Sequence, residues 1–207
     1  FALSEAGSAF ELDPDQLDTL GPVTWRPDLQ ALPFSAHPLR DRDGSWWNFG
    51  ALSMMGGAGL LLWHIGADAT LLGAHVLEME APGYLHAFVQ TDRHLVFLLT
   101  PFDYAPAGSF FESMTFAPQR ACAVMVVDKA APDRVARRFE VDFTMAYHFG
   151  DAFERNGEIV VRTVRHRDVG DARSPHRAAM SGHDGPAPAA QLAELHLDMR
   201  SGRARWD

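Results

Sequence analysis

The chain has 207 residues, 47% of them hydrophobic and 22% charged, which suits one soluble globular domain with a sizeable core. A formal net charge of −9 argues against nucleic-acid binding, which needs a basic face. The single cysteine, Cys122, excludes an internal disulfide and a cysteine-based zinc site, and no apolar run is long enough to span a bilayer as a helix.

Phe1-Ala2-Leu3-Ser4-Glu5 reads as a strand already under way, with Leu3 and Glu5 on one face by period-2 alternation. Residues 11–21, with Pro14 inside, read as a loop with a helical turn. Candidate strands then follow at residues 45–54, 60–65, 70–79, 84–91, 95–102, 122–128, 135–141, 158–164 and 192–199. Asp43-Gly44 and Asn156-Gly157 are hairpin signals. Helical periodicity is nearly absent, so the chain is all-β: a sandwich, barrel or propeller. Residues 170–190 are rich in Ala, Gly, Pro and Ser and predict a surface loop within one domain spanning 1–207. Both ends look cut from a longer chain.

Three of the ten histidines share a context. His37 lies in Ser35-Ala36-His37-Pro38, where Pro38 lacks an N–H and holds His37 extended. His86 lies in Tyr84-Leu85-His86-Ala87-Phe88, and His148 in Tyr147-His148-Phe149. Each stands near a strand start among apolar or aromatic residues. Their separations of 49 and 62 residues are each about one propeller blade of roughly 40–50 residues plus loops. One histidine per blade, near the central axis, predicts three imidazoles converging on a metal such as iron, zinc or copper. His64, His75, His94, His166 and His196 lack that context and are assigned to surfaces or ordinary packing. His176 and His183 fall in the loop, which pre-organises ligands poorly. No nucleophile elbow, phosphate loop or dinucleotide fingerprint is present.

The ordered set of motifs resembles the carotenoid oxygenase family. Glu5 with Leu17-Asp18-Thr19-Leu20-Gly21 resembles a glutamate followed by the family's "LETLG" run. Ser35-Ala36-His37-Pro38 with Asn48-Phe49-Gly50 resembles its "TAHP" motif and strand. Leu85-His86-Ala87-Phe88 resembles the second histidine motif, and Tyr147-His148 with Asp151-Ala152-Phe153-Glu154 the third. Ala87, Phe149 and Asp151 depart from the family's usual aspartate, histidine and asparagine.

The resemblance implies part of a seven-bladed β-propeller, about four blades or part-blades here, with non-haem Fe(2+) held by four histidines that are themselves held by glutamates. It implies that His37, His86 and His148 are iron ligands, that Glu5 is a supporting carboxylate, and that a fourth histidine follows beyond Asp207. No catalytic side chain is expected beyond the metal site. The implied reaction cleaves a C=C bond of a carotenoid or apocarotenoid with O2, giving two carbonyl products. Phe88, Tyr147 and Phe149 are candidate substrate-tunnel residues, as is Trp47. Partners are a lipophilic polyene and O2, with peripheral membrane contact in the full-length protein and a cytoplasmic location. Ser4, where stilbenoid-cleaving relatives tend to carry lysine, favours a polyene. The alternatives are a stilbenoid-cleaving member, a three-histidine zinc hydrolase, and a propeller interaction module with structural histidines.

Overall fold

The computed structural model describes residues 1–5, 7–52, 59–81, 83–108, 110–167, 179–183 and 190–207. The side chains of residues 110 and 111 are outside that description. The chain forms two compact units, one of Phe1–Pro82 with Val127–Val135, the other of Gly83–Val126 with Ala136–Asp207.

In the first unit, β1 (Phe10–Leu12) and β2 (Thr19–Pro22) make an antiparallel ribbon. A loop with a helical turn was expected over residues 11–21. The helical turn is there, the Leu17 N–H bonding the Asp13 carbonyl at 2.9 Å and the Asp13 carboxylate accepting the Asp15 and Gln16 N–H groups at 2.8 and 2.9 Å, but the residues on either side pair as strands. The N-terminal segment is likewise no continuous strand: only Ala2 bridges, to Phe10.

The principal sheet of this unit runs in sequence order: β3 (Leu39–Arg40), β4 (Trp46–Ala51), β5 (Gly59–Ile65) and β6 (Leu71–Glu78). The β3–β4 turn is set by Asp41, whose carbonyl accepts the Gly44 N–H while its N–H reaches the Ser45 carbonyl. Gly44 takes φ 87°, which closes the turn as a type I bend plus bulge. One face of β5 buries Leu61, Trp63 and Ile65 against Ala9, Leu29 and Phe34. The Trp63 indole N–H is satisfied by the Pro33 carbonyl at 3.0 Å.

In the second unit, β9 (His94–Tyr104) is central. It pairs with β7 (Gly83–Tyr84), β8 (Val89–Gln90), β10 (Met114–Phe116) and β11 (Cys122–Asp128), and β11 pairs with β12 (Arg137–Val141). A short helix, α1 (Phe110–Ser113), precedes β10. A four-stranded meander follows: β13 (Phe149–Arg155), β14 (Glu158–His166), β15 (Ala190–Asp198) and β16 (Ala204–Trp206). Asn156-Gly157 turns β13 into β14 with φ 54° and 84°, as a two-residue hairpin requires. The two sheets share a core in which Val96, Leu98, Val124 and Phe139 meet Ile159, Val161, Leu195 and Leu197.

The all-β expectation is thus borne out. One expected strand, residues 84–91, is split in two, and His86 falls between the pieces. Of the expected loop at 170–190, only 179–183 and 190 are described; His176 and the rest of the loop lie outside the described residues, as do 53 and 54 at the end of the first expected long strand.

Candidate metal centre

His37 sits in the first unit, two residues before β3, half-buried. Its loop lies flat on β4. The Ser35 N–H bonds the Phe49 carbonyl at 2.8 Å, the Asn48 side-chain amide bonds the Ser35 carbonyl at 2.8 Å, and the His37 N–H reaches the Ser35 hydroxyl at 3.2 Å. Gly50 makes this approach feasible, because a Cβ there would overlap the Pro33 carbonyl. Glu5, in the same unit, is half-buried.

His86 and His148 belong to the second unit, and the fold brings them together. Their rings meet edge to face with centroids 4.9 Å apart, and one ring nitrogen of each lies within 4.8 Å of the other. An ion bonded to both at 2.0–2.2 Å needs them no more than about 4.4 Å apart. The pair is therefore at that reach or a few tenths of an ångström outside it, and two imidazoles are a donor set that ferrous iron accepts.

Two devices hold this pair, and neither was anticipated from the sequence. The His148 carbonyl accepts the Thr163 hydroxyl of β14 at 2.7 Å. Four residues earlier, buried Thr144 is fixed on several sides. Its carbonyl accepts the Thr100 hydroxyl at 2.8 Å and the Cys122 thiol at 3.2 Å, and its hydroxyl accepts the Arg165 Nε–H at 3.2 Å. Burial pushes the Cys122 thiol up to about 11, so it stays protonated and serves as a donor.

The second device is Glu154 on β13. Its carboxylate accepts the Thr91 hydroxyl at 2.6 Å, His94 Nδ1 at 2.9 Å and Arg93 Nε at 2.9 Å. Burial raises this carboxyl, but those bonds outweigh it, Arg93 first, and hold it at about 2. Glu154 thereby ties the strand that follows His148 to the β8–β9 turn that follows His86.

Of the other aromatic candidates, Tyr147 is half-buried, with its ring edge-on to His86 at 5.9 Å and to His166 at 5.8 Å. Phe149 is partly buried against the core shared by the two sheets. Phe88 is buried and stacked on Phe97, centroids 5.2 Å apart. Trp47, in the first unit, is buried and stacked on His64. His94 and His196 are engaged with carboxylates.

The whole chain, residues 1–207, matches the family described as Retinal pigment epithelial membrane protein. Among curated proteins it is similar to beta,beta-carotene 15,15'-dioxygenase of Rattus norvegicus, 24% identical over 193 residues, covering 81% of this chain and 34% of that protein. The Gallus gallus counterpart is 23% identical over 192 residues, covering 81% and 36%. The chain thus spans about a third of the length of these curated relatives. Among solved structures, cobalt-substituted Synechocystis ACO superposes with a TM-score of 0.81 at 19% identity, covering 100% of this chain and 45% of that one. A chimera of ACO and RPE65 gives the same values. These likenesses carry the fold: the chain corresponds to part of a seven-bladed β-propeller.

Proposed function

We propose, from the premise that the chain belongs to the retinal pigment epithelial membrane protein family, that the full-length protein is a non-haem Fe(2+) dioxygenase cleaving a C=C bond of a carotenoid or apocarotenoid. The observation that carries the proposal is the His86–His148 imidazole pair. His37 is the third ligand in this reading, presented by the loop that β4 holds flat. The relatives named beta,beta-carotene 15,15'-dioxygenase support the substrate class.

When bound, ferrous iron supplies the redox-active centre at which O2 is used. The balance is simple: the C=C bond breaks, and each carbon takes one oxygen atom of O2 as a carbonyl. The chain's own residues perform the remaining tasks. Imidazoles stay neutral to donate a lone pair to a metal. Thr163 and Glu154 fix the segments bearing His148 and His86, so little ordering is left to do on binding. Glu5 accepts an imidazole N–H, that of His86 in this reading, which sets which nitrogen faces the metal. Tyr147, half-buried with its ring edge-on to His86, supplies aromatic surface suited to a polyene, whereas Phe88 and Phe149 are packed into the protein interior. A lipophilic substrate also argues for peripheral membrane contact by a cytoplasmic protein. Among the described residues no helix is long and apolar enough to cross a membrane.

The test is incubation of the full-length, iron-loaded protein with an apocarotenoid under labelled O2, with iron content measured alongside. Two carbonyl products, each carrying one labelled oxygen, are expected. His148→Ala should lose both iron and turnover. Retention of iron by His37→Ala, His86→Ala and His148→Ala variants would refute the assignment.

A further inference from the structure

Strand β14 carries a cation into the interior of the second unit. Ile159, Val161, Thr163 and Arg165 alternate onto one buried face of the strand, and Arg165 is only 4% exposed. One edge of its guanidinium is occupied, because Nε–H donates to the Thr144 hydroxyl at 3.2 Å. One face is occupied too: the guanidinium carbon lies over the Trp206 ring, 4.3 Å from its centroid. The remaining edge, formed by Nη1 and Nη2, has no hydrogen-bond partner among the described residues. No described carboxylate ion-pairs with it; Asp142 acts on it only through space, while Arg167 adds further positive charge. The indole N–H of Trp206 is also buried without an acceptor, so this corner of the unit has donors to spare.

We propose that Arg165 binds the carboxylate of a small organic acid, end-on through Nη1 and Nη2. A buried charge is costly unless it is paired, and a buried donor is costly unless it is bonded. Arg165 meets neither condition at its outer edge, and one anion meets both. Burial and the nearby Arg167 push the guanidinium down from its ordinary value, which is the sign of a cation short of counter-charge. The geometry selects the anion. With Nε held by Thr144 and one face held by Trp206, the free edge presents parallel N–H bonds from two nitrogens. That fork matches the two oxygens of a planar carboxylate, whereas a spherical halide cannot fill both positions. Tetrahedral phosphate carries further oxygens that must stay solvated, and a side chain so little exposed leaves them little room. The terminal nitrogens are not sealed from solvent, so a small acid reaches them. The proposal does not rest on the metal reading above.

The test titrates acetate into the iron-loaded, full-length protein at constant ionic strength, following affinity by calorimetry and stability by melting temperature, with chloride and phosphate as comparison anions. One acetate per chain is expected to bind saturably and to raise the melting temperature. Arg165→Met should abolish both effects. Arg165→Lys keeps the charge but loses the paired N–H bonds, and should weaken acetate by about tenfold or more; it decides the matter even if Arg165→Met does not fold. No saturable acetate binding would overturn the proposal. Acetate binding that survives in Arg165→Met would place the acid elsewhere, the iron included, and overturn it as well. Equal acetate affinity in Arg165→Lys, or chloride or phosphate binding as tightly as acetate, would show a site for charge alone and refute the carboxylate assignment.

Discussion

Replacing Glu154 by glutamine removes the charge that joins β13 to the β8–β9 turn and keeps the side chain's size. The bonds from Arg93, Thr91 and His94 hold the carboxyl at about 2 in the folded protein, against an ordinary value of 4.5. At 1.36 kcal/mol per pH unit, that difference stabilises the fold by at most about 3 kcal/mol at neutral pH. Arg93, its strongest partner, is 73% exposed, and solvent screening reduces the figure to about 1–2 kcal/mol. Because the folded value is the lower one, the contribution is complete above about pH 5 and fades as pH falls towards 2. Urea unfolding of wild type and Glu154→Gln, followed by tryptophan fluorescence, should therefore differ by about 1–2 kcal/mol at pH 7 and converge in acid. Iron affinity should fall in the same variant, because the segments bearing His86 and His148 lose a tie. Equal stability at pH 7, or a difference that does not shrink between about pH 5 and 3, would refute the clamp.

Other substitutions probe the same architecture. Thr163→Val, which removes the hydroxyl from the His148 carbonyl, should cost about 1 kcal/mol and weaken iron binding, while Thr163→Ser restores both; equal iron affinity in all three proteins would exclude a positioning role. Gly50→Ala forces a Cβ into the Pro33 carbonyl, and denaturant titration should show a loss of about 3 kcal/mol or more; a loss under about 0.5 kcal/mol would show that the loop moves freely. Trp63→Ala empties the first unit's core and orphans the Pro33 carbonyl, costing about 3–5 kcal/mol in the same assay. The Cys122 thiol, fully buried and raised to about 11, should resist alkylation at pH 8 in the native protein and react promptly in urea; rapid native modification would contradict its placement.

Much of the fold was legible because its strands bury residues in clean patterns. Cys122–Asp128 was predicted to the residue, and the Asn156-Gly157 turn announced itself by composition. Strand β13 escaped because a bulge between Phe149 and Ala152 breaks its alternation. The opposite error occurred at residues 84–91. That run is apolar and buried throughout most of its length, but Leu85–Phe88 make no ladder, and burial alone does not distinguish the two states. The case for Glu5 from alternation assumed a strand where only Ala2 bridges, so its site role rests on family resemblance and its half-buried side chain. The histidine pair was legible from matched local contexts. Its supports were not, because Thr163, Glu154, Thr91 and His94 join across 15 to 63 residues of chain and look like ordinary polar positions.

That separation in sequence has a kinetic consequence. The β13–β14 and β15–β16 hairpins close over a few residues and belong to the microsecond class of folding events. The bond between Thr91 and Glu154 closes a loop of 63 residues, and such long-range closure comes later and more slowly. His86 lies just before that loop and His148 just inside its far end, so the two meet only once it has closed. Refolding in the presence of a chromophoric metal such as cobalt should then give two clocks, with the strand signal leading and the metal signal trailing as the reporter of the final long-range step.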